Sequence, residues 1–380
     1  MRFLLSAFLL CCLILPKAAL SQQDTPARAA IVMDLNSGAI LLEKDPDLPL
    51  PPASMSKLMT LNMVFEALQA GRIALDDKFR TSARAASMGG SKMFIRDGEL
   101  VSVEDLLKGV VIQSGNDAAV ALAEAMLGTE EAFAQRMNER APEIGLTAST
   151  FANSTGWPHP DQKMSVRDLA TLSARLVTEF PEYYQMFEET EFTWDGITQP
   201  NRNPLLDLGI GADGLKTGHT EEAGYGLAAS AKRGDRRIVV VVTGLDSAAQ
   251  RKQETERLIT WAFRAFEAKA LYTAGQEIAE VPVWIGGEVS VPIAPARDIT
   301  LLVPAGTLAD TKLTVTHRSP ATAPIASGDK LGLLTIEARG MPPVTVPLIA
   351  TQDVAEGGIL ERMQAAAHLL LSGVLPAGDG

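Results

Sequence analysis

Strand-like segments stand at both ends of residues 29–266 of this chain, and helical segments fill the space between them. That arrangement limits the fold more than any other feature. Segments 29–34 and 39–43 flank the turn Asn36-Ser37-Gly38 and read as a hairpin. Segments 214–219, 225–232 and 237–244 are strand-like again, the last two joined by Arg233-Gly234-Asp235. Between them, apolar spacing predicts helices over 54–70, 103–113, 117–127, 130–144 and 165–180, with a closing helix over 250–266. Pro51 and Pro52 precede the first helix and Gly71 follows it, where each does no harm. Ser165-Val-Arg-Asp168 opens the fifth as a capping box. A doubly wound parallel sheet would alternate strand and helix regularly. The expectation is therefore an α/β chain of the α+β kind, with a central antiparallel sheet flanked by helices.

The pattern changes near Ala270. Short strands at 278–284, 288–293, 300–303, 312–318, 331–337 and 344–350, with turn residues such as Gly286-Gly287 between them, predict a small all-β, sandwich-like domain. Further on, Ile359, Leu360, Met363, Ala366, Ala367, Leu370, Leu371 and Val374 share one helical face. Such a helix suits a membrane surface; otherwise the segment docks on the protein's own body or is a disordered end. Arg362 is its one strong cation, and surface-lying helices usually carry more. At the other end Arg2 precedes an apolar run from Phe3 to Leu15, which Pro16 ends, and Ala19 and Ser21 suit cleavage. The run is shorter than the roughly 20 residues a membrane span takes. The expected organisation is a secretory signal at 1–21, a first domain at 22–268, a β-domain at 276–352 and an amphipathic helix at 356–376.

Cys11 and Cys12 both fall in the signal, so the mature chain has no thiol to act as nucleophile, ligand or disulfide partner. The formal charge is −12, and phosphate binding needs a basic face, so nucleic acid is a poor partner. His159, His219, His317 and His368 are scattered without ligand spacing, and no Gly-rich phosphate loop is present. No metal and no cofactor is expected.

Three short motifs carry the chemistry: Ser54-Met-Ser-Lys57, Ser114-Gly-Asn116 and Lys216-Thr-Gly218. A serine hydroxyl is a weak nucleophile until a base takes its proton. On a helix, i and i+3 face the same way, so Lys57 lies beside Ser54. Its amine is a base only when neutral, which requires burial or a neighbouring cation such as Lys216. The pattern is weak alone, because Ser327-Gly-Asp-Lys330 repeats it in an expected turn. Ser114 and Asn116 stand between two helices, where they either cap a helix or aim Ser114 at the Ser54–Lys57 pair and Asn116 at a substrate amide. Lys216 and Thr217 can bind a carboxylate from a strand, Gly218 lets a backbone approach that strand, and the His219 N–H can donate to an oxyanion.

Together the three motifs form the active-site signature of penicillin-binding proteins and class A β-lactamases. The longer strings Ala53-Ser-Met-Ser-Lys-Leu-Met-Thr60, Gln113-Ser-Gly-Asn-Asp-Ala118, Asn201-Arg-Asn203 and Gly214-Leu-Lys-Thr-Gly-His-Thr220 resemble the low-molecular-mass penicillin-binding proteins, which are serine-type D-Ala-D-Ala carboxypeptidases. Gly89-Gly-Ser-Lys-Met-Phe94 and Asn153-Ser-Thr-Gly156 fit as well. The resemblance implies that residues 22–268 form a transpeptidase-like catalytic domain. It implies Ser54 as nucleophile, Lys57 as base and Ser114 as proton relay. Asn116 would orient the substrate, and Lys216, Thr217 and Arg202 would hold its carboxylate. The N–H groups of Ser54 and His219 would form the oxyanion hole. It implies peptidoglycan pentapeptide ending in D-Ala-D-Ala as substrate, covalent inhibition by β-lactams, and a periplasmic site at the outer face of the inner membrane, with membrane contact through the terminal helix.

Three rivals stay in view. A class A β-lactamase would carry a Glu-x-x-Leu-Asn string between Asn116 and Lys216, and none is there. A DD-endopeptidase would use the same residues. A non-catalytic wall scaffold would have no need of Ser54 and Lys57 together.

Overall fold

The computed structural model describes residues 24–338, 343–359 and 363. The signal expected at 1–21 and most of the helix expected at 356–376 lie outside the described residues. Five strands form the central sheet: β1 (Ala29–Asp34), β2 (Ile40–Lys44), β3 (Ala212–Thr220), β4 (Gly224–Arg233) and β5 (Arg236–Leu245). Their spatial order is β2-β1-β5-β4-β3, and every pairing is antiparallel. The N-terminal hairpin thus closes onto the last strand, with Ala29 opposite Thr243 and Asp34 opposite Ile238. Residues 238–242 explain why the middle of the sheet reads as an unbroken apolar run. Val239 and Val241 enter the large helical core, whereas Ile238, Val240 and Val242 enter a second core on the other face. A strand alternates sides, so a sheet covered on both faces needs apolar residues at every position.

One face is covered by α1 (Lys57–Gln69), α2 (Val103–Val111), α3 (Asn116–Leu127), α4 (Glu130–Glu143) and α5 (Val166–Glu179); α6 (Ala248–Ala265) covers the other. Helix α1 runs through the core, with only Glu66 and Gln69 of its length outside the buried set. A helix enclosed on nearly all sides carries any polar group it bears into the interior. Helix α5 starts as expected: the Ser165 hydroxyl accepts the Asp168 N–H at 3.0 Å. Two short antiparallel strand pairs were not anticipated, Lys78–Arg80 with Leu100–Ser102 and Glu191–Trp194 with Ile197–Pro200.

The second unit begins earlier than the expected 276. Helix α6 ends at Ala265 and the chain passes straight into a strand, Phe266–Tyr272, paired antiparallel with Ile299–Pro304. Phe266 meets Trp261 edge-on at 5.5 Å, so its apolar character serves the junction and not a further helical turn. Beyond it lies a six-stranded sheet in the order Lys312–His317, Lys330–Glu337, Val344–Ala350, Ser290–Pro295, Ala279–Trp284, Ala321–Thr322. Val281, Val291, Ile293, Leu301, Val303, Leu334 and Leu348 pack between the two sheets as a separate core.

Candidate active site

Ser54 sits on a turn tighter than the helix expected from residue 54. Ala53–Ser56 is a 3₁₀ turn that feeds directly into α1, and Ala53 enters it with φ of 48°. Two glycines grip this turn from opposite sides. A Cβ on Gly218 of β3 would lie 2.8 Å from the Pro52 carbonyl oxygen, and one on Gly156 would overlap the Ala53 carbonyl oxygen. The space on the Cβ side of Gly218 is therefore filled by the turn that carries Ser54. The close approach places the edge of β3, the last strand of the sheet, beside Ser54.

Lys57, the first residue of α1, is fully buried. Its Nζ lies 2.9 Å from Ser54 Oγ and donates to Asn116 Oδ1 at 2.6 Å and to the Thr155 carbonyl at 2.7 Å. Burial pushes its amine down to about 7, against the opposing pull of Asp117 and then Glu130. Of the two causes the sequence offered, burial and a neighbouring cation, burial is the one that acts on Lys57. The serine and lysine at 327 and 330 make a useful contrast: Lys330 is exposed and Ser327 lies in a turn.

Ser114 is buried with φ of 62°, and its Oγ accepts from Lys216 Nζ at 2.8 Å. Helix α3 is capped by Gly115 without a side-chain bond, so neither Ser114 nor Asn116 acts as a cap. Asn116 is engaged at both ends, accepting from Lys57 and donating through Nδ2 to the Gly89 carbonyl at 2.8 Å. Lys216 is buried and held well below the usual lysine range, first by burial and then by Lys57, Arg251 and Arg202. Thr217 is buried beside it. The His219 ring is exposed and stacks on Tyr225 at 3.9 Å, apart from the two serines' hydrogen bonds.

Arg202 is exposed and donates to Gln199 Oε1 at 3.1 Å. Arg251, on the first turns of α6, was not anticipated. Its guanidinium lies 5.6 Å from the Tyr225 ring, and its buried Nε has no hydrogen-bond partner among the described residues. Nothing local in sequence marks it, because its link to Lys216 spans two elements. Thr155 was missed for a different reason: it contributes a carbonyl, which any residue type supplies. Among the described residues, no carboxylate pairs with Lys57, Lys216, Arg202 or Arg251. The guanidiniums of Arg202 and Arg251, without acidic partners among the described residues and beside Lys216, make a local field suited to an anionic ligand in a chain of formal charge −12.

A family model described as D-alanyl-D-alanine carboxypeptidase, Peptidase S11, matches residues 17–247, and one described as penicillin-binding protein 5, C-terminal domain, matches residues 266–356. D-alanyl-D-alanine carboxypeptidase DacC of Escherichia coli is 39% identical over 371 residues, which cover 94% of this chain and 92% of that protein. DacF of Bacillus subtilis is 36% identical, covering 88% of this chain and 87% of its own. The crystal structure of penicillin binding protein 5 from Haemophilus influenzae superposes with a TM-score of 0.84 at 36% identity, covering 88% of this chain and 99% of that one. With the S11 model matched over more than half its length, the chain belongs to the Peptidase S11 family of D-alanyl-D-alanine carboxypeptidases, which are hydrolases.

Proposed function

We propose that the protein is a serine-type D-Ala-D-Ala carboxypeptidase, which removes the terminal D-Ala of peptidoglycan pentapeptide through an acyl-enzyme on Ser54. The observation that carries this reading is the set of partners around the Lys57 amine. A neutral amine has two N–H bonds and one lone pair. The Thr155 carbonyl and Asn116 Oδ1 can only accept, so they take the two N–H bonds. The lone pair is left facing the Ser54 hydroxyl at 2.9 Å.

Ser54 Oγ attacks the carbonyl of the penultimate D-Ala as its proton passes to Lys57 Nζ. The oxyanion takes N–H bonds from Ser54 and from His219 on the edge strand β3. Collapse breaks the C–N bond, and the proton reaches the departing D-Ala amine through the Ser114 hydroxyl, which Lys216 holds at 2.8 Å. Water then attacks the ester, returns the proton to Ser54 and frees the shortened peptide. Lys216, Thr217, Arg202 and Arg251 supply the field for the terminal carboxylate, Gly218 keeps β3 against Ser54, and Asn116 acts through Lys57. β-Lactams carry a comparable carboxylate and amide, and acylate the same serine. The segment at 1–21 supports export to the periplasm, and that at 356–376 supports contact with the outer face of the inner membrane.

Fluorescent penicillin is expected to label the wild-type chain and not Ser54→Ala, and D-Ala is expected to be released from a diacyl-D-Ala-D-Ala peptide. A folded wild-type chain that takes no label and releases no D-Ala sinks the reading. Fast penicillin turnover without D-Ala release makes it a β-lactamase, and cleavage of cross-linked dimers alone makes it an endopeptidase.

A further inference from the structure

Glu130 is a buried carboxylate that none of these steps uses. It is the first residue of α4. Its Oε1 accepts both the N–H of Ser154, at 3.0 Å, and the Ser154 hydroxyl, at 2.7 Å. Its Oε2 accepts from Arg84 Nη2 at 2.8 Å. The Ser154 carbonyl in turn accepts the Thr60 hydroxyl at 2.6 Å, one helical turn past Lys57. Ser154 is thus held through its N–H, its side chain and its C=O. The carbonyl of the next residue, Thr155, is the one that receives the Lys57 amine.

We propose that Glu130 is a positioning residue for acyl transfer: its carboxylate fixes Ser154 and thereby aims the Thr155 carbonyl at Lys57. The proposal rests on Lys57 acting as the base. Two acceptors must be in place to direct the lone pair at Ser54. If the Thr155 carbonyl swings away, the amine is free to rotate and turn an N–H toward the hydroxyl it should deprotonate. Asn116 Oδ1 has its own anchor in the Gly89 carbonyl, so the Thr155 arm is the one that depends on Glu130.

The charged groups facing Lys57 are few. Asp117 of α3 and Glu130 of α4 are the anions, with Arg84 on the outer side of Glu130. Lys216 faces it from β3. The turn at 53–56 and the loop at 153–157 bear no other ionisable side chain. Lys92 turns to the Ala86 carbonyl at 3.4 Å, and Glu66, further along α1, pairs with Arg140 and Arg175. Asp117 is engaged separately, accepting the N–H groups of Met93 and Phe94 at 3.0 and 2.8 Å. Removing the Glu130 charge therefore favours the neutral amine, and removing its oxygen releases Ser154. The two effects act on different parts of a pH profile.

The test is the rate of Ser54 acylation by fluorescent penicillin against pH, with thermal unfolding alongside, for full-length wild type, Glu130→Gln and Glu130→Ala. The glutamine amide oxygen can still accept both Ser154 bonds. Its acid limb should move to lower pH while its plateau stays within about threefold of wild type, since the geometry is kept. Glu130→Ala should show the same shift with a plateau about 10- to 100-fold lower, the scale of a misplaced catalytic group. A folded Glu130→Ala with the wild-type plateau overturns the proposal, as does a Glu130→Gln plateau that falls as far as that of alanine. An acid limb that stays put in both variants leaves Glu130 as fold support and overturns it too. If Glu130→Ala does not fold, Ser154→Ala replaces it; that variant removes one bond to Oε1 and should lower the plateau without moving the limb, and an unchanged plateau overturns the proposal. Lys57→Met tests the base separately. Wild-type acylation in that variant sinks the reading of Lys57, whereas an inactive Lys57→Met beside an unaffected Glu130→Ala sinks only the role of Glu130.

Discussion

At the scale of single residues, burial turns a common pattern into a reactive one. Ser54 with Lys57 and Ser327 with Lys330 have the same spacing, yet only Lys57 is taken out of water. Desolvation disfavours the ammonium form, so Lys57 titrates near 7 instead of in the usual lysine range. The sign is set by which form works. Only the neutral amine can accept the Ser54 proton, so acylation should rise about tenfold per pH unit below this value and level off above it. A stopped-flow measurement of penicillin acylation between about pH 5 and 9 would show the limb, because the penicillin carboxylate stays ionised throughout. A flat profile would exclude Lys57 as the base. Two lysines buried without carboxylate partners oppose folding, and a chain that keeps both does so at the place where its local rules are broken for function.

At the scale of elements, the legible parts were those whose signal is local. The hairpin at residue 36, the capped start of α5 and the apolar run of β5 all declare themselves through turn chemistry or period. What stayed hidden was set by contacts distant in sequence. The 3₁₀ turn at Ala53–Ser56 reads as ordinary helix because its shape comes from Gly218 and Gly156 pressing on it from two other segments. The strand Phe266–Tyr272 was hidden because the apolar spacing of α6 continues into Phe266, which serves the junction. Of the site, the motif serines and lysines were readable by type, while Arg251, Glu130 and the Thr155 carbonyl were not, since their meaning comes from the fold. Glycine at 218 is consequently a packing requirement. In Gly218→Ala the added Cβ meets the backbone oxygen of Pro52 at 2.8 Å, and neither strand nor turn can yield without moving Ser54. Overpacking of this kind destabilises by about 1–3 kcal/mol. Chemical denaturation should show that loss, together with slower acylation. A variant with wild-type stability and rate would mean that the turn is not gripped as described.

At the scale of the whole molecule, the two units share a junction and no chemistry. The Ala305 N–H donates to the Ala265 carbonyl at 2.9 Å, and Arg236 Nη1 donates to the Phe266 carbonyl at 2.7 Å. Both bonds lie at the end of α6 and the outer end of the sheet. Every side-chain hydrogen bond described around Ser54, Lys57, Ser114 and Lys216 stays within residues 54–217. The first unit also has its own two cores, on either side of the sheet, and the second unit has a third that shares no residue with them. Separate cores are what allow separate folding. A chain ending after Glu267 keeps Phe266 to cover Trp261 and loses the pairing with Ile299–Pro304. It should fold cooperatively, with a thermal midpoint lowered by a few degrees at the exposed junction. Its Ser54 should be acylated within about twofold of the full-length rate, because no group that positions the reacting atoms is removed. A truncated chain that folds but acylates tenfold more slowly would mean that the β-domain reaches the site through the sheet. The independence of the two cores would then be thermodynamic only, and the second unit would belong to the catalytic apparatus.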